Sequence, residues 1–264
     1  NPNSFLRKIV ELIKLGTGFP AFHNDDIGIR MLMNKGVPLR EAFDWNPSGC
    51  VETNLEGRLR AYTALADINL GAMVEFTRLN GRCRKSGLDI SIQTGVPEEF
   101  KDFEAFCNAL KRQLAYAVRT VVKGSHLIDE IGFNRTVPAL SLSFKECVQS
   151  AMDYAWGGAK YNTGNGIILI GIADLINSMA AIKHLIYDTN QISMSQLLSA
   201  LDSNFENSPE ILRLCKDAPK YGNDVEWVDN MAAEIFTYIA DEIESYKSRF
   251  GTMTPGILPV SGNT

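Results

Sequence analysis

Apolar residues recur at helical spacing over Phe5–Leu15 (FLRKIVELIKL), and Gly16-Thr17-Gly18 ends that pattern. A polar extended piece, Phe19–Asp26, leads to a short predicted helix over Ile27–Asn34, broken at Gly36–Pro38. Residues Ala42–Glu56 carry no amphipathic period, and Asn46-Pro47-Ser48-Gly49 is a turn signal. Helical patterns then follow over Gly71–Leu79 and over Pro97–Glu130, the latter with an interruption expected near Lys123–Ser125. Val137–Ser143 reads as a turn and a short extended segment, Phe144–Ala155 as a helix, and Trp156–Gly166 as a glycine-rich extended stretch. Four more helices are predicted over Ile172–Tyr187, Met194–Leu201, Pro209–Lys216 and Asp224–Phe250, and Gly256–Ser261 reads as a buried strand. Helices separated by short extended segments indicate an α/β protein. No internal repeat, low-complexity segment or linker divides the chain.

Composition narrows the function. With 264 residues, 45% apolar and 22% charged, the chain can bury a sizeable core. A net charge of −5 leaves no electrostatic footprint for nucleic acid or for an anionic membrane. The longest apolar run, Gly166–Ala173, is far short of the roughly 20 residues of a membrane span. The N-terminus lacks both a signal-peptide pattern and an initiator Met, so the chain is expected to begin partway through a longer one. The five cysteines are odd in number and widely spaced, which fits a reducing cytoplasm rather than a disulfide framework or a CxxC metal clamp. Four of them, Cys83, Cys107, Cys147 and Cys215, read as small apolar residues or incidental thiols.

The remaining motifs mostly have structural readings. Gly164-x-Gly166 with Gly171 matches neither the dinucleotide fingerprint nor a P-loop, and a tight backbone approach between strand and helix accounts for it. The histidines His23, His126 and His184 are too far apart for a metal site, and His23 alone is retained as a pocket candidate. Asp25 and Asp26 are read as the cap of the helix that starts at Ile27. Gly49-Cys50-Val51-Glu52 is different. A Cys directly after a turn sits on a loop tip, and residues i and i+2 of an extended segment project to the same side, so Cys50 and Glu52 are expected to face one pocket. A neighbouring carboxylate raises a thiol's pKa, and no paired His is present to activate it. This pair therefore suits a thiol used neutral, as a hydrogen-atom donor and acceptor, beside a carboxyl group that handles protons.

Four segments together resemble the glycyl radical enzyme family, which includes pyruvate formate-lyase and the diol dehydratases. They are Gly18-Phe19-Pro20-Ala21-Phe22-His23-Asn24-Asp25; Ser48-Gly49-Cys50-Val51-Glu52; Gly157–Asn162 with Ile172-Ala173-Asp174 and Ser178–Lys183; and Arg249–Ser261. Their order and spacing agree with the family along nearly the whole chain. The resemblance implies that 1–264 is the central portion, with the Cys loop, of a helix-rich ten-stranded α/β barrel of the pyruvate formate-lyase type. It implies a thiyl radical at Cys50 and an acid–base role for Glu52, with His23, Asn24, Tyr161 and Asn162 lining the pocket. The family's glycyl radical is installed by a separate radical S-adenosylmethionine activating enzyme. No other bound cofactor and no metal is implied, and the family's members act on small molecules as homodimers. The Arg-Val-x-Gly-Tyr type motif of the glycyl radical loop does not occur in the sequence, so the C-terminal glycyl radical domain reads as absent and the chain alone as inactive.

Gly49 before Cys50, where pyruvate formate-lyase has a second Cys, argues against acyl transfer to coenzyme A. Diol dehydratases carry an Asp where this sequence has Ala64, and Asp67 nearby is expected to face differently, which argues against the glycerol and propanediol type. The strings Cys50–Thr53 and Ile68–Glu75 look most like arylacetate decarboxylases, of the 4-hydroxyphenylacetate decarboxylase kind. The alternatives are a radical dehydratase of hydroxyproline or a diol, and a non-catalytic remnant that binds a small molecule.

Overall fold

The computed structural model describes residues 3–17, 22–49, 52–61 and 64–258. The chain opens with α1 (Asn3–Leu12), which runs into a π-turn, followed by α2 (Asp25–Asn34) and α3 (Leu39–Ala42). Four short strands come next, β1 (Asn46–Ser48), β2 (Glu52–Asn54), β3 (Leu59–Arg60) and β4 (Ala66–Asn69), and then α4 (Leu70–Arg78). The middle of the chain holds α5 (Phe103–Phe133), α6 (Pro138–Ser141), α7 (Lys145–Ser150), β5 (Tyr161–Asn162), β6 (Gly166–Ile170) and α8 (Ile172–Ile182). It finishes with α9 (Met194–Asp202), α10 (Pro209–Asp217), α11 (Glu226–Glu244), β7 (Lys247–Ser248), β8 (Gly251–Thr252) and β9 (Thr254–Leu258). The protein is α/β and helix-rich, as its pattern predicts. No ten-stranded barrel closes among the described residues, because the strands are short and pair in four separate sheets.

Two compact units share the chain, and the division falls inside β4, α5 and β6. The first unit comprises Asn1–Ala66, Ser125–Ile168 and Lys247–Thr264. Its α2 starts at Asn24, whose Oδ1 accepts from the Asp26 N–H at 2.9 Å. Asp25 and Asp26 are therefore in the first turn and are not the cap. Asp25 instead accepts the Trp45 indole N–H at 3.0 Å. Gly28 makes that docking possible, since a Cβ there would stand 2.5 Å from the Trp45 ring. Leu32, Val37, Ala42, Leu55 and Leu59 form the core beneath.

β3 and β5 pair in parallel, Leu59 opposite Tyr161 and Arg60 opposite Asn162. Within this unit β6 and β9 are neighbours in one sheet. Just before β6 the backbone at Gly164 passes so close to β8 that a Cβ would run into the Thr252 carbonyl. The expected tight approach is thus present, with a strand rather than a helix as the neighbour. Arg60 is 2% exposed, its guanidinium 3.8 Å from the Phe250 ring centroid. Delocalised charge over an aromatic face tolerates such burial better than an ammonium does. A satellite cluster of Phe144, Cys147, Tyr154 and Ala159 packs beside Asp153. Burial pushes the Asp153 carboxyl up, but N–H groups of Ala155 and Val137 and the Ser141 hydroxyl outweigh it and hold it below the usual range.

The second unit comprises Asp67–Gly124 and Leu169–Tyr246. Asn69 caps α4 by accepting from the Ala72 N–H, and α4 packs along α8, each helix burying apolar residues, among them Leu70, Met73, Leu175 and Ile176. Gln113 of α5, with no exposed surface, anchors the irregular segment ahead of that helix. Its Nε2 donates to the Ile92 carbonyl at 2.8 Å and the Thr94 hydroxyl at 3.1 Å, and its Oε1 accepts from Ser91. Replacing Gln113 by Leu keeps the volume but strands these partners in the interior. The expected loss is roughly 2–3 kcal/mol of stability, read as a lowered urea midpoint with an unchanged slope.

Several predicted elements are shifted. α5 continues through Lys123–Ser125 without a break: Gly124 costs a helix only about 1 kcal/mol, and the buried Val118 and Val122 keep that face packed. Pro138 at the first helical position makes Pro138–Ser141 a helical turn where an extended segment was expected. The helix predicted to Ala155 stops at Ser150 because Ala151 turns left-handed at φ 52°. The last helix stops at Glu244, and the residues to Phe250 enter the β7–β8 ribbon. The strand predicted at Gly256–Ser261 begins earlier, as β9, and is half-buried rather than buried, with Ile257 exposed; Pro259–Ser261 lie outside the described residues. No helix among the described residues is long and apolar enough to cross a membrane.

Candidate active site

The chemistry-bearing string lies on a β-hairpin. β1 and β2 pair antiparallel with Asn46 opposite Asn54, Pro47 opposite Thr53 and Ser48 opposite Glu52. The predicted turn at Asn46–Gly49 is thus mostly strand, and only Gly49 of that string belongs to the connection. Between the last paired residues, Ser48 and Glu52, the chain holds Gly49, Cys50 and Val51 alone. Cys50 and Val51 lie outside the described residues. At the base of the hairpin, Asn46 Nδ2 donates to Glu56 Oε1 at 3.0 Å, which fixes the strands in this register.

Gly49 has φ 60°, the left-handed region in which a side chain is strained. The space where its side chain would stand is occupied by the Glu52 carboxylate. A Cβ on Gly49 would be 2.7 Å from Glu52 Oε2 and 3.2 Å from Oε1 and Cδ. Glu52 therefore folds back over the chain immediately before Cys50, and it is half-buried there. Its neighbour in sequence, Thr53, shares with it the lining of a cavity of about 210 Å³ within the first unit. One wall is the stripe Ile27, Met31 and Lys35, spaced four apart along and just past α2. The other walls come from β3 at Leu59, from the chain at Thr163, Gly164 and Gly166, and from β9 at Thr254–Ile257. Among the described residues the lining is mainly apolar, with one carboxylate, one ammonium and three threonine hydroxyls.

The other predicted pocket residues are placed elsewhere in the same unit and do not line this cavity. His23 is exposed, and Asn24, also exposed, is committed to capping α2. Tyr161 packs half-buried against the core below α2. Lys160 lies 5.3 Å from the Tyr161 ring centroid and pairs with Glu41 at 2.7 Å. That ammonium, partly opposed by burial, and the Tyr161 hydroxyl hold Glu41 below the usual carboxylate range. Asn162 donates to the carbonyls of Gly157 at 3.0 Å and Ala159 at 2.9 Å, closing the glycine-rich turn ahead of β5. Asp67, near Ala64 in sequence, is exposed on β4 and lines a different depression. Among the described residues no three His, Cys, Asp or Glu side chains gather as metal ligands do.

Lys35, Thr53, Thr163 and Thr254 were not singled out from the sequence. The signal for Lys35 was present in the four-residue spacing Ile27-Met31-Lys35. The threonines carry none, because a β-strand threonine is as common on a packed surface as in a pocket.

The chain is similar to known proteins along nearly its whole length. The family described as pyruvate formate lyase-like matches residues 1–264. Trans-4-hydroxy-L-proline dehydratase of Clostridioides difficile is 35% identical over 92% of this chain and 31% of its own length. (2S)-3-sulfopropanediol dehydratase of Klebsiella oxytoca is 30% identical over 97% of this chain and 31% of its own. The solved hydroxyproline dehydratase from Clostridioides difficile, with trans-4-hydroxy-L-proline bound, superposes with TM-score 0.87 at 32% identity, over 99% of this chain and 33% of that one. The decarboxylase toward which the Cys50–Thr53 and Ile68–Glu75 strings lean is more distant. The 4-hydroxyphenylacetate decarboxylase glycyl radical subunit of Clostridium scatologenes is 22% identical over 95% of this chain and 33% of its own. The chain spans about a third of the length of the relatives it matches. It belongs to the pyruvate formate lyase-like family, among the glycyl radical enzymes.

Proposed function

We propose that the full protein is a glycyl radical lyase that eliminates a leaving group, in the manner of a dehydratase, from a small hydroxylated substrate. The observation that carries this is the Glu52 carboxylate, folded onto Gly49 at the edge of a small cavity, two residues from Cys50. The identity of the dehydratase relatives, well above that of the decarboxylase, favours elimination over the decarboxylation suggested by short strings.

The glycyl radical, installed by an activating enzyme, would take the hydrogen atom of the Cys50 thiol and so leave a thiyl there. Cys50 then takes a hydrogen atom from a substrate carbon and later returns it to the product radical. Glu52 gives a proton to the departing hydroxyl, which leaves as water, and takes back the proton released from the heteroatom beside the substrate radical. A carboxyl group so placed is expected to contribute about 10²–10⁴-fold to the rate. The mainly apolar walls exclude water from the carbon radical. The reading carries with it a cytoplasmic homodimer that meets its activating enzyme.

The test uses the full-length protein, activated without oxygen and offered trans-4-hydroxy-L-proline, glycerol and 4-hydroxyphenylacetate in turn. Loss of water from a hydroxylated substrate is expected. Release of carbon dioxide from 4-hydroxyphenylacetate, with neither hydroxylated compound consumed, would sink the elimination reading.

A further inference from the structure

Resting on that elimination reading, we propose that Lys35 binds an anionic group of the substrate. The cavity then takes a small hydroxylated carboxylate or sulfonate, in preference to a neutral diol.

Among the described residues lining the cavity, Lys35 supplies the one cation and Glu52 the one anion. Lys35 follows Ile27 and Met31 on the stripe that faces the cavity, and it is half-buried, whereas Arg30 and Arg40 nearby are exposed. An isolated anion moved into mainly apolar surroundings loses several kcal/mol of hydration unless a cation meets it. Glu52 increases that cost, because its carboxylate repels a second negative charge in the same small space. An acidic substrate therefore needs a cation in this cavity, and Lys35 is in place to be that cation. A neutral diol needs none, and the hydroxyls of Thr53, Thr163 and Thr254 would serve it. The same threonines remain available for the hydroxyl of a hydroxy acid. Among the relatives, the hydroxyproline and sulfopropanediol dehydratases are named for substrates that carry a carboxylate and a sulfonate.

Binding separates this inference from the reaction. The full-length protein, left unactivated, is titrated with trans-4-hydroxy-L-proline, isethionate and glycerol, alongside Lys35→Met and Lys35→Arg variants. Lys35→Met is expected to weaken one or both anions by about 10–100-fold, the loss of one charge-assisted contact. Glycerol affinity and the thermal midpoint should stay unchanged, and Lys35→Arg should recover most of the anion affinity. A carboxylate-specific or sulfonate-specific loss identifies the group that Lys35 meets. Equal anion binding by Lys35→Met and the unaltered protein overturns the proposal, as does an unaltered protein that binds glycerol and neither anion. If Lys35→Met fails to fold, Lys35→Gln carries the test, because anion binding by that variant equal to the unaltered protein's rejects the proposal equally. Selective loss of anion binding in a protein that, once activated, eliminates nothing would sink the elimination reading while leaving the role of Lys35 standing.

Discussion

Cys50→Ala, in the full-length protein carrying its glycyl radical, is expected to abolish turnover while leaving the radical's electron paramagnetic resonance signal intact. The two readouts separate because the radical is stored on a different residue from the one that meets substrate. Alanine has no hydrogen atom as weakly bound as that of a thiol, so the transfer chain stops one step short of the substrate carbon. Glu52→Gln should behave differently. It keeps the shape that fills the space over Gly49 but cannot exchange a proton, so substrate still binds and hydrogen-atom transfer to Cys50 remains open. The expected result is a fall of about 10²–10⁴-fold in kcat with little change in KM. Turnover retained by Cys50→Ala would remove that residue from the chemistry altogether. Equal and total losses in both variants would mean that Glu52 is needed to build the hairpin rather than to move protons.

Gly164→Ala should be among the most damaging single substitutions to stability, though it adds only one methyl group. Its Cβ would run into the Thr252 carbonyl, with Gly251 also in reach. These are backbone atoms, which cannot rotate aside as a side chain would, so the two segments must separate. We expect a loss of about 3 kcal/mol or more, a large part of a typical domain's total stability. Gly36→Ala is the control. Gly36 has φ 87° but nothing within 4 Å of its missing side chain, so only the left-handed backbone is penalised, at about 1–2 kcal/mol. Urea midpoints for the two variants should rank in that order. Equal midpoints would mean that the approach at Gly164 relaxes at no cost.

Local chemistry was legible wherever one residue type has one dominant use. The helices over Ile27–Asn34, Gly71–Leu79, Ile172–Tyr187 and Met194–Leu201 follow from apolar spacing, and each is present within a few residues. The hairpin was legible only through Gly49, since β1 and β2 are three residues each and too short to show a period. The cap of α2 was misplaced by one residue, because Asn24, Asp25 and Asp26 can all cap and only the docking of Trp45 decides among them. The cavity was less readable still. Glu52 was found from its two-residue spacing to Cys50. Thr163 and Thr254 approach it through strand pairings between segments far apart in sequence, and no local pattern encodes those pairings. Asn162 carries the opposite lesson: a residue in a family-like string is engaged by the carbonyls of Gly157 and Ala159.

The pairing of β6 with β9 has a further consequence, for the chain as it leaves the ribosome. β6 ends at Ile170 and its partner begins at Thr254, so about 85 residues must be synthesised before the edge is covered. At the usual elongation rates of about 5–20 residues per second, that leaves Gly166-Ile167-Ile168-Leu169-Ile170 open on one side for roughly 4–17 s. An uncharged, β-prone strand with an open edge is a template for pairing with another nascent chain. Crowded translation is therefore a condition under which this protein is exposed to aggregation, and slower initiation should raise its soluble yield.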